Sequence, residues 1–156
     1  YSGDGTRNEQ YHAWGQPVLA PVAGTVVSAW NNQVDLLPNQ ISDPELARQI
    51  DPLTHPAGNH VVIRTDDDRF VLIAHMQEGS VRVEAGDEVR AGDVLGLVGN
   101  SGNSSEPHIH IHAQDREDML DPEAAGVPLQ FAGYIADGEP VASGLPVQGQ
   151  LVAPIE

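Results

Sequence analysis

Turn residues divide this chain into apolar runs that are too short for helices and long enough for strands. HVVIRT (60–65), FVLIAH (70–75) and HIHIHA (108–113) are each six residues long and rich in β-branched side chains. Asp66-Asp67-Asp68-Arg69 separates the first two runs and reads as a solvated hairpin tip, because the spacing of a calcium loop is missing. VRVEAGDEVRAGDVLGLV (81–98) carries turns at Gly86-Asp87 and Gly92-Asp93. PVLAPVAGTVVSAW (17–30) alternates β-branched and small residues around Pro21-Val22-Ala23-Gly24 and predicts a hairpin. A short apolar run at Val127–Phe131 precedes a last hairpin expected around Pro140–Val152. With 16 Gly and 12 Pro, the fold class expected is all-β with an antiparallel sheet, as one domain over residues 1–156.

Two stretches stand outside this pattern. Residues 1–16 are polar and rich in Gly and Asn, an irregular opening segment. Residues 31–58 form a long surface excursion, either the rim or lid of a groove or an inert insertion. Within it, Pro44–Ile50 predicts a short helix with Asp43 as its N-cap.

Charge removes several function classes. There are 23 acidic and 7 basic residues, all of the latter Arg, for a net charge of −16. No useful basic patch can form, which excludes nucleic acid and an anionic membrane surface as partners. The same charge predicts solubility and monodispersity, or reflects a saline habitat, and a monomer is expected. The absence of Cys removes thiol catalysis, Cys-ligated metals and disulfides. No apolar stretch approaches the roughly 18 residues of a membrane-spanning helix. The opening at Tyr1, without Met or a leader-like segment, reads as a mature or trimmed form.

Chemistry concentrates in His108-Ile109-His110-Ile111-His112. On a strand, alternate side chains share a face, so three imidazoles line one side and Ile109 and Ile111 turn to the core. Neighbouring imidazolium charges repel, and a metal relieves that by taking neutral imidazole nitrogens. The pattern therefore points to metal or acid–base function, with a polar outer sheet face as the alternative. The preceding loop, Gly99-Asn100-Ser101-Gly102-Asn103-Ser104-Ser105, offers backbone N–H groups that could hold an oxyanion. His75 joins the cluster if its strand neighbours 108–113. His12, His55 and His60 lie in or beside loops and are expected to be exposed.

The segments GQPVLAPVAGTVV, GNHVVIRT, LIAHM and VEAGDEVRAGDVLGLVGNSGNSSEPHIHIHAQD resemble, in order and spacing, the lysostaphin-type (LytM-like) zinc endopeptidases that cut peptidoglycan peptides. The resemblance runs from about residue 1 to the last strands. It implies an antiparallel β-sheet with a groove, and a zinc bound by an early His-x-x-x-Asp and by the second His of a late His-x-His. On that basis Asp4 and His110 are zinc ligands, and His75 and His108 act on the attacking water and the transition state. The His partner of Asp4 would fall before Tyr1, with His12 or Asn8 as substitutes inside the chain. His112 stands where the family often has a carboxylate, which suggests support of a ligand.

Two readings follow. One is an extracytoplasmic zinc endopeptidase acting on peptidoglycan stem or cross-link peptides. The other is a metal-free relative that binds peptidoglycan or regulates another wall hydrolase. APVAGTVV and VEAGDEVRAGDVLGLV also resemble the halves of a lipoyl or biotinyl carrier domain, but that class needs a Lys to modify and the chain has none.

Overall fold

The computed structural model describes residues 1–40 and 55–155, and the chain divides into two compact units, Tyr1–Gly126 and Val127–Glu156. The sequence expectation of one domain over 1–156 therefore meets a two-part division, and each unit is described by itself. The predicted helix at Pro44–Ile50 and its cap Asp43 lie outside the described residues.

Among the described residues, all regular structure is β apart from one 3-10 turn at Asn8–Gln10. The strands are β1 (Pro17–Leu19), β2 (Gly24–Trp30), β3 (Asn59–Arg64), β4 (Phe70–Met76), β5 (Glu88–Val89), β6 (Val94–Leu97), β7 (His110–Gln114), β8 (Gly126–Val127), β9 (Phe131–Ala136), β10 (Glu139–Gly144) and β11 (Val152–Pro154). The main sheet has the order β5-β2-β3-β4-β7-β8, and β8 falls at the boundary between the units. The second unit holds its own antiparallel sheet, β10-β9-β11.

The hairpin expected across Asp66–Arg69 forms, with Val61 opposite Ile73, Val62 opposite Leu72 and Ile63 opposite Val71. Its tip is closed by the Thr65 hydroxyl, which donates to Asp67 at 2.6 Å. Val61, Ile63, Val71 and Ile73 lie in the core, while Val62, Leu72, Ala74 and Ala57 form a cluster with Val27, Phe70 and Met119. The centre of the sheet is thus covered on both faces, which is why its strands read as continuous apolar runs. The Glu84–Asp87 and Arg90–Asp93 turns are alike: Gly86 and Gly92 take positive φ, and Asp87 and Asp93 accept from the N–H of Glu84 and Arg90 at 2.9 and 2.7 Å.

Three local expectations are corrected. Residues 17–30 do form two strands, but they do not pair with each other: β1 pairs with β6 in a separate two-stranded sheet, and β2 pairs with β3 and β5. A local alternation pattern specifies strands and leaves their distant partners open. The last hairpin is β9–β10, turning at Asp137-Gly138, with residues 152–154 adding to β9 from the other side. Both turn residues have positive φ, the conformation that suits a two-residue hairpin. Finally, β7 begins at His110, so His108 precedes the strand.

The opening segment is anchored. Asn8 is buried, its Nδ2 donates to the Leu36 carbonyl at 2.8 Å, and its Oδ1 accepts from Asn100 Nδ2 at 3.1 Å. Asp35 joins the same junction, accepting from the N–H groups of Asn100 and Glu78 at 2.6 and 2.8 Å. Burial pushes the Asp35 carboxyl above its usual range.

Main chain meets main chain where loops 56–58 and 99–102 touch. Gly58 has φ +62°, and a Cβ there would lie 2.4 Å from the Ser101 backbone. Gly92 has φ +93° with open space around it. Gly58→Ala is therefore expected to cost about 3 kcal/mol or more, and Gly92→Ala only about 1 kcal/mol, measured by urea denaturation.

Candidate active site

The site is built on β4 and β7. Ala74 pairs with His110 and Leu72 with His112, so both imidazoles stand on the Leu72–Ala74 face of the sheet. Ile111 pairs with Ile73 and turns to the opposite face. Simple alternation would send His75, next to Ala74, to that opposite face as well. A register shift prevents this: Val61 pairs with Ile73 but Asn59 with Met76, which leaves one extra residue in β4. His75 takes up the irregularity with φ +65°, a rare conformation for a side chain other than Gly, and lines the groove with Leu72, Ala74 and His110.

That placement is held by backbone. His75 N–H donates to the Ala57 carbonyl at 2.9 Å, and its own carbonyl accepts from Gly99 N–H at 3.1 Å. His75 Nδ1 donates to the Ser101 carbonyl at 2.8 Å. A carbonyl only accepts, so Nδ1 carries the hydrogen and Nε2 keeps a lone pair. The Ser101 hydroxyl donates to the Met76 carbonyl at 2.7 Å and accepts from Asn59 N–H at 2.9 Å.

Of the donors expected to be free in loop 99–105, four backbone N–H groups are already taken. The N–H groups of Gly99, Asn100, Asn103 and Ser104 go to His75 O, Asp35 Oδ1, Pro56 O and Gly102 O. The loop satisfies its own buried backbone and positions His75.

The four histidines meet as the sequence suggested. Ring centroids lie 4.9 Å apart for His75 and His108, 6.0 Å for His75 and His110, and 5.1 Å for His110 and His112. His108 Nδ1 donates to the Glu106 carbonyl at 2.7 Å, which leaves its Nε2 as acceptor. A second chain of bonds fixes His110. Gln114 Nε2 donates to the carbonyls of Arg116 and Asp118, so its Oε1 accepts from His112 Nε2 at 3.1 Å. Neutral His112 then accepts through Nδ1 from His110 Nε2 at 2.8 Å, and the lone pair of His110 is on Nδ1. Gln114 was not singled out from the sequence. Its place two residues beyond His112, on the same strand face, is the signal that could have found it.

Burial favours the neutral forms of His75 and His110. His75 is pushed down to about 4 by desolvation, opposed by its bond to Ser101 and reinforced by His108 and His110. His110 is lowered by desolvation and then by His112 and His108. Asp4 is exposed, and its Oδ1 accepts from the Thr6 hydroxyl and N–H at 2.8 and 3.2 Å, which holds its carboxyl below the usual range. An ionised carboxylate and a neutral imidazole are donors of the type zinc takes. However, among the described residues no three or more His, Asp or Glu side chains are grouped to hold a metal ion. Asp4 and His110 do not complete a site by themselves. Asn8 is no substitute, being committed to Leu36 and Asn100, and His12 is exposed.

One further expectation is reversed. His60 is only 5% exposed: it lies on β3, and its Nδ1 donates to the Gly58 carbonyl at 2.8 Å. His55, half-buried, stacks on it with centroids 4.7 Å apart.

The site is thus an antiparallel sheet carrying a cluster of tautomer-fixed imidazoles. Residues 10–122 match the model of Peptidase family M23, and the chain belongs to that family. It is 42% identical over 60 residues to endolysin 2638A of Staphylococcus phage 2638A, covering 38% of this chain and 12% of the endolysin. Over 71 residues it is 35% identical to the DD-carboxypeptidase/endopeptidase Mpg of Neisseria meningitidis serogroup B, covering 46% and 16%. The matched segment thus spans less than a fifth of these curated relatives. Among solved structures, the catalytic domain of the prophage-encoded M23 protein EnpA from Enterococcus faecalis, in mutant form, aligns with a TM-score of 0.49 and 24% identity over 73% of this chain and 67% of that one. The catalytic domain of lysostaphin from Staphylococcus simulans aligns with a TM-score of 0.48 and 21% identity over 74% and 81%.

The lowered pKa of His75 has a definite sign. Its neutral form is favoured by folding, so its stabilisation is complete above the unfolded value of 6.5 and is lost as pH falls toward about 4. In metal-free buffer the ¹⁵N shifts of His75 should show a neutral, Nδ1-protonated ring at pH 5.5. A midpoint near 6.5 would contradict the burial argument.

Proposed function

We propose that the chain is the peptidase unit of an extracytoplasmic peptidoglycan hydrolase, a zinc-dependent endopeptidase that cuts stem or cross-link peptides. The observation that carries this reading is the convergence of His75, His108 and His110 in one groove of an M23 family chain. The relatives point the same way, one being named an endolysin and another a carboxypeptidase/endopeptidase. The peptidoglycan DD-endopeptidase ShyA of Vibrio cholerae is 32% identical over 76 residues, covering 48% of this chain and 17% of that protein.

In this reading Asp4 and His110 are two of the zinc donors. When bound, zinc supplies a Lewis acid for the peptide carbonyl and brings a bound water to a pKa of about 7. The remaining work falls to the histidines. His75 Nε2 and His108 Nε2 are acceptors placed to orient a water and take its proton, and in imidazolium form they donate to the developing oxyanion. Their Nδ1 bonds to Ser101 and Glu106 carbonyls keep the reactive nitrogen directed and favour protonation once a proton arrives. The groove suits a peptide with little negative charge, since the chain carries −16 overall and repels anionic polymers at short range.

The absence of a three-donor group among the described residues favours a second reading, a metal-free relative that binds peptidoglycan or regulates another hydrolase. Zinc stoichiometry by elemental analysis, followed by murein digestion, separates the two. Near one zinc per chain with release of peptides supports the enzyme; no zinc and no release supports the relative. Among variants, His110→Ala should lose zinc. His75→Ala should keep zinc and lose hydrolysis by roughly 10²–10⁴-fold. Equal zinc in His110→Ala and the parent chain would overturn the ligand assignment.

A further inference from the structure

The groove does not end at the histidines already described. On the same sheet face a second hollow of about 230 Å³ is lined by Ser28, His55, His60, Glu117, Asp118 and Met119. Met119 also lines the hollow that holds His75 and His110, so the two adjoin. The register explains the continuity, because Ser28, Val62 and Leu72 lie opposite one another across β2, β3 and β4, and His60 is on the Val62 face.

The two imidazoles of this hollow have complementary tautomers. His60 Nδ1 donates to the Gly58 carbonyl at 2.8 Å, so its Nε2 is an acceptor, and among the described residues that nitrogen has no hydrogen-bond partner. His55 Nδ1 accepts from Ala57 N–H at 3.2 Å, so the neutral ring carries its hydrogen on Nε2 and donates there. One acceptor and one donor, on rings 4.7 Å apart, match the N–H and C=O of one residue in an extended peptide, which point to the same side.

The charge of the hollow is negative. Desolvation lowers both imidazoles, with Asp118 opposing it at His55, so neither ring adds positive charge at neutral pH. Glu117 and Asp118 line the hollow, whereas the adjacent Arg116 pairs with Asp121 at 3.4 Å and Glu123 at 3.2 Å. No three donors are grouped for a metal among the described residues, which leaves an organic cation as the complementary ligand.

We propose that this hollow is a binding subsite for a peptide residue bearing a primary ammonium group. Its N–H and C=O bond to His60 and His55, its aliphatic stem lies on Met119, and its ammonium meets Glu117 and Asp118. The inference rests on the peptidase reading in taking a peptide as ligand, and it adds which residue of that peptide is recognised. β3 and β7 are separated by β4, so the subsite lies about 10 Å from His110, or roughly three residues of extended peptide.

The test is binding, which needs neither zinc nor hydrolysis. The ¹⁵N-labelled chain is titrated with acetyl-Ala-Ala-Lys-Ala-amide and with its Nε-acetyl form, reading the shifts of His55, His60 and Met119. The free amine should bind about fivefold more tightly. Asp118→Asn keeps a side-chain oxygen for its bond from Leu120 N–H and should abolish that preference; Glu117→Gln should reduce it. His60→Phe should weaken both peptides alike. Equal affinities in the parent chain, no binding of either peptide, or shifts confined to His75 and His110 would each overturn the subsite. A chain that shows the ammonium preference but never digests murein would sink the peptidase reading and leave the subsite standing; digestion without preference would do the reverse.

Discussion

The bond from His75 Nδ1 to the Ser101 carbonyl is what the rest of the site depends on. Without it, the extra residue in β4 and the positive φ of His75 would be held by main-chain bonds alone and the ring would be undirected. Strain of this kind, of order 1–3 kcal/mol, persists only where surrounding structure over-determines it. Here the over-determination is visible. Ala57, Gly99 and Ser101 grip the main chain and ring of His75 from two loops, and Gly58 and Gly102 let those loops approach to backbone contact. Asn59, Ser101 and Met76 close the bond network behind it.

A second polar chain, Gln114–His112–His110, complements the first. It fixes the tautomer of His110 by a sequence of donors that starts at two backbone carbonyls, Arg116 and Asp118. The two chains fix the tautomers of His75 and His110, whose rings lie 6.0 Å apart, and the Glu106 carbonyl fixes that of His108. Desolvation keeps His75 and His110 neutral, so the cluster avoids the repulsion that three imidazolium ions would suffer. The same device recurs at His55 and His60, where backbone partners again fix complementary tautomers.

Much of this was legible in the sequence, and what was not has a physical reason. The strand runs, the Asp66–Arg69 tip and both Gly-Asp turns follow from local chemistry, and they form. The meeting of His75 with the late histidines needed one assumption, that β4 and β7 are neighbours, and they pair over five positions. Strand partners far apart in sequence were not readable, so β1 was assigned to β2 when it belongs to β6. The bulge was invisible because FVLIAHM is uninterrupted, and a one-residue slip leaves no mark on composition. His60 was expected to be exposed because it opens its strand beside Gly58-Asn59, yet Asn59 itself is buried at the start of β3 and bonded to Gln33. The glycine-rich loop looked like a donor-rich cradle because sequence does not reveal which N–H groups other backbone has already taken.

The holding contacts on His75 come from main-chain atoms, and this sets where the protein is sensitive to change. Substitution at 57 or 101 leaves the accepting carbonyl in place, but the buried Ala57 and the doubly hydrogen-bonded Ser101 hydroxyl leave little room for another side chain. Equally fragile are glycines with no chemistry of their own, where any added carbon pushes two loops apart. In a population of variants, loss of function at this site would therefore concentrate at residues that a search for reactive groups passes over.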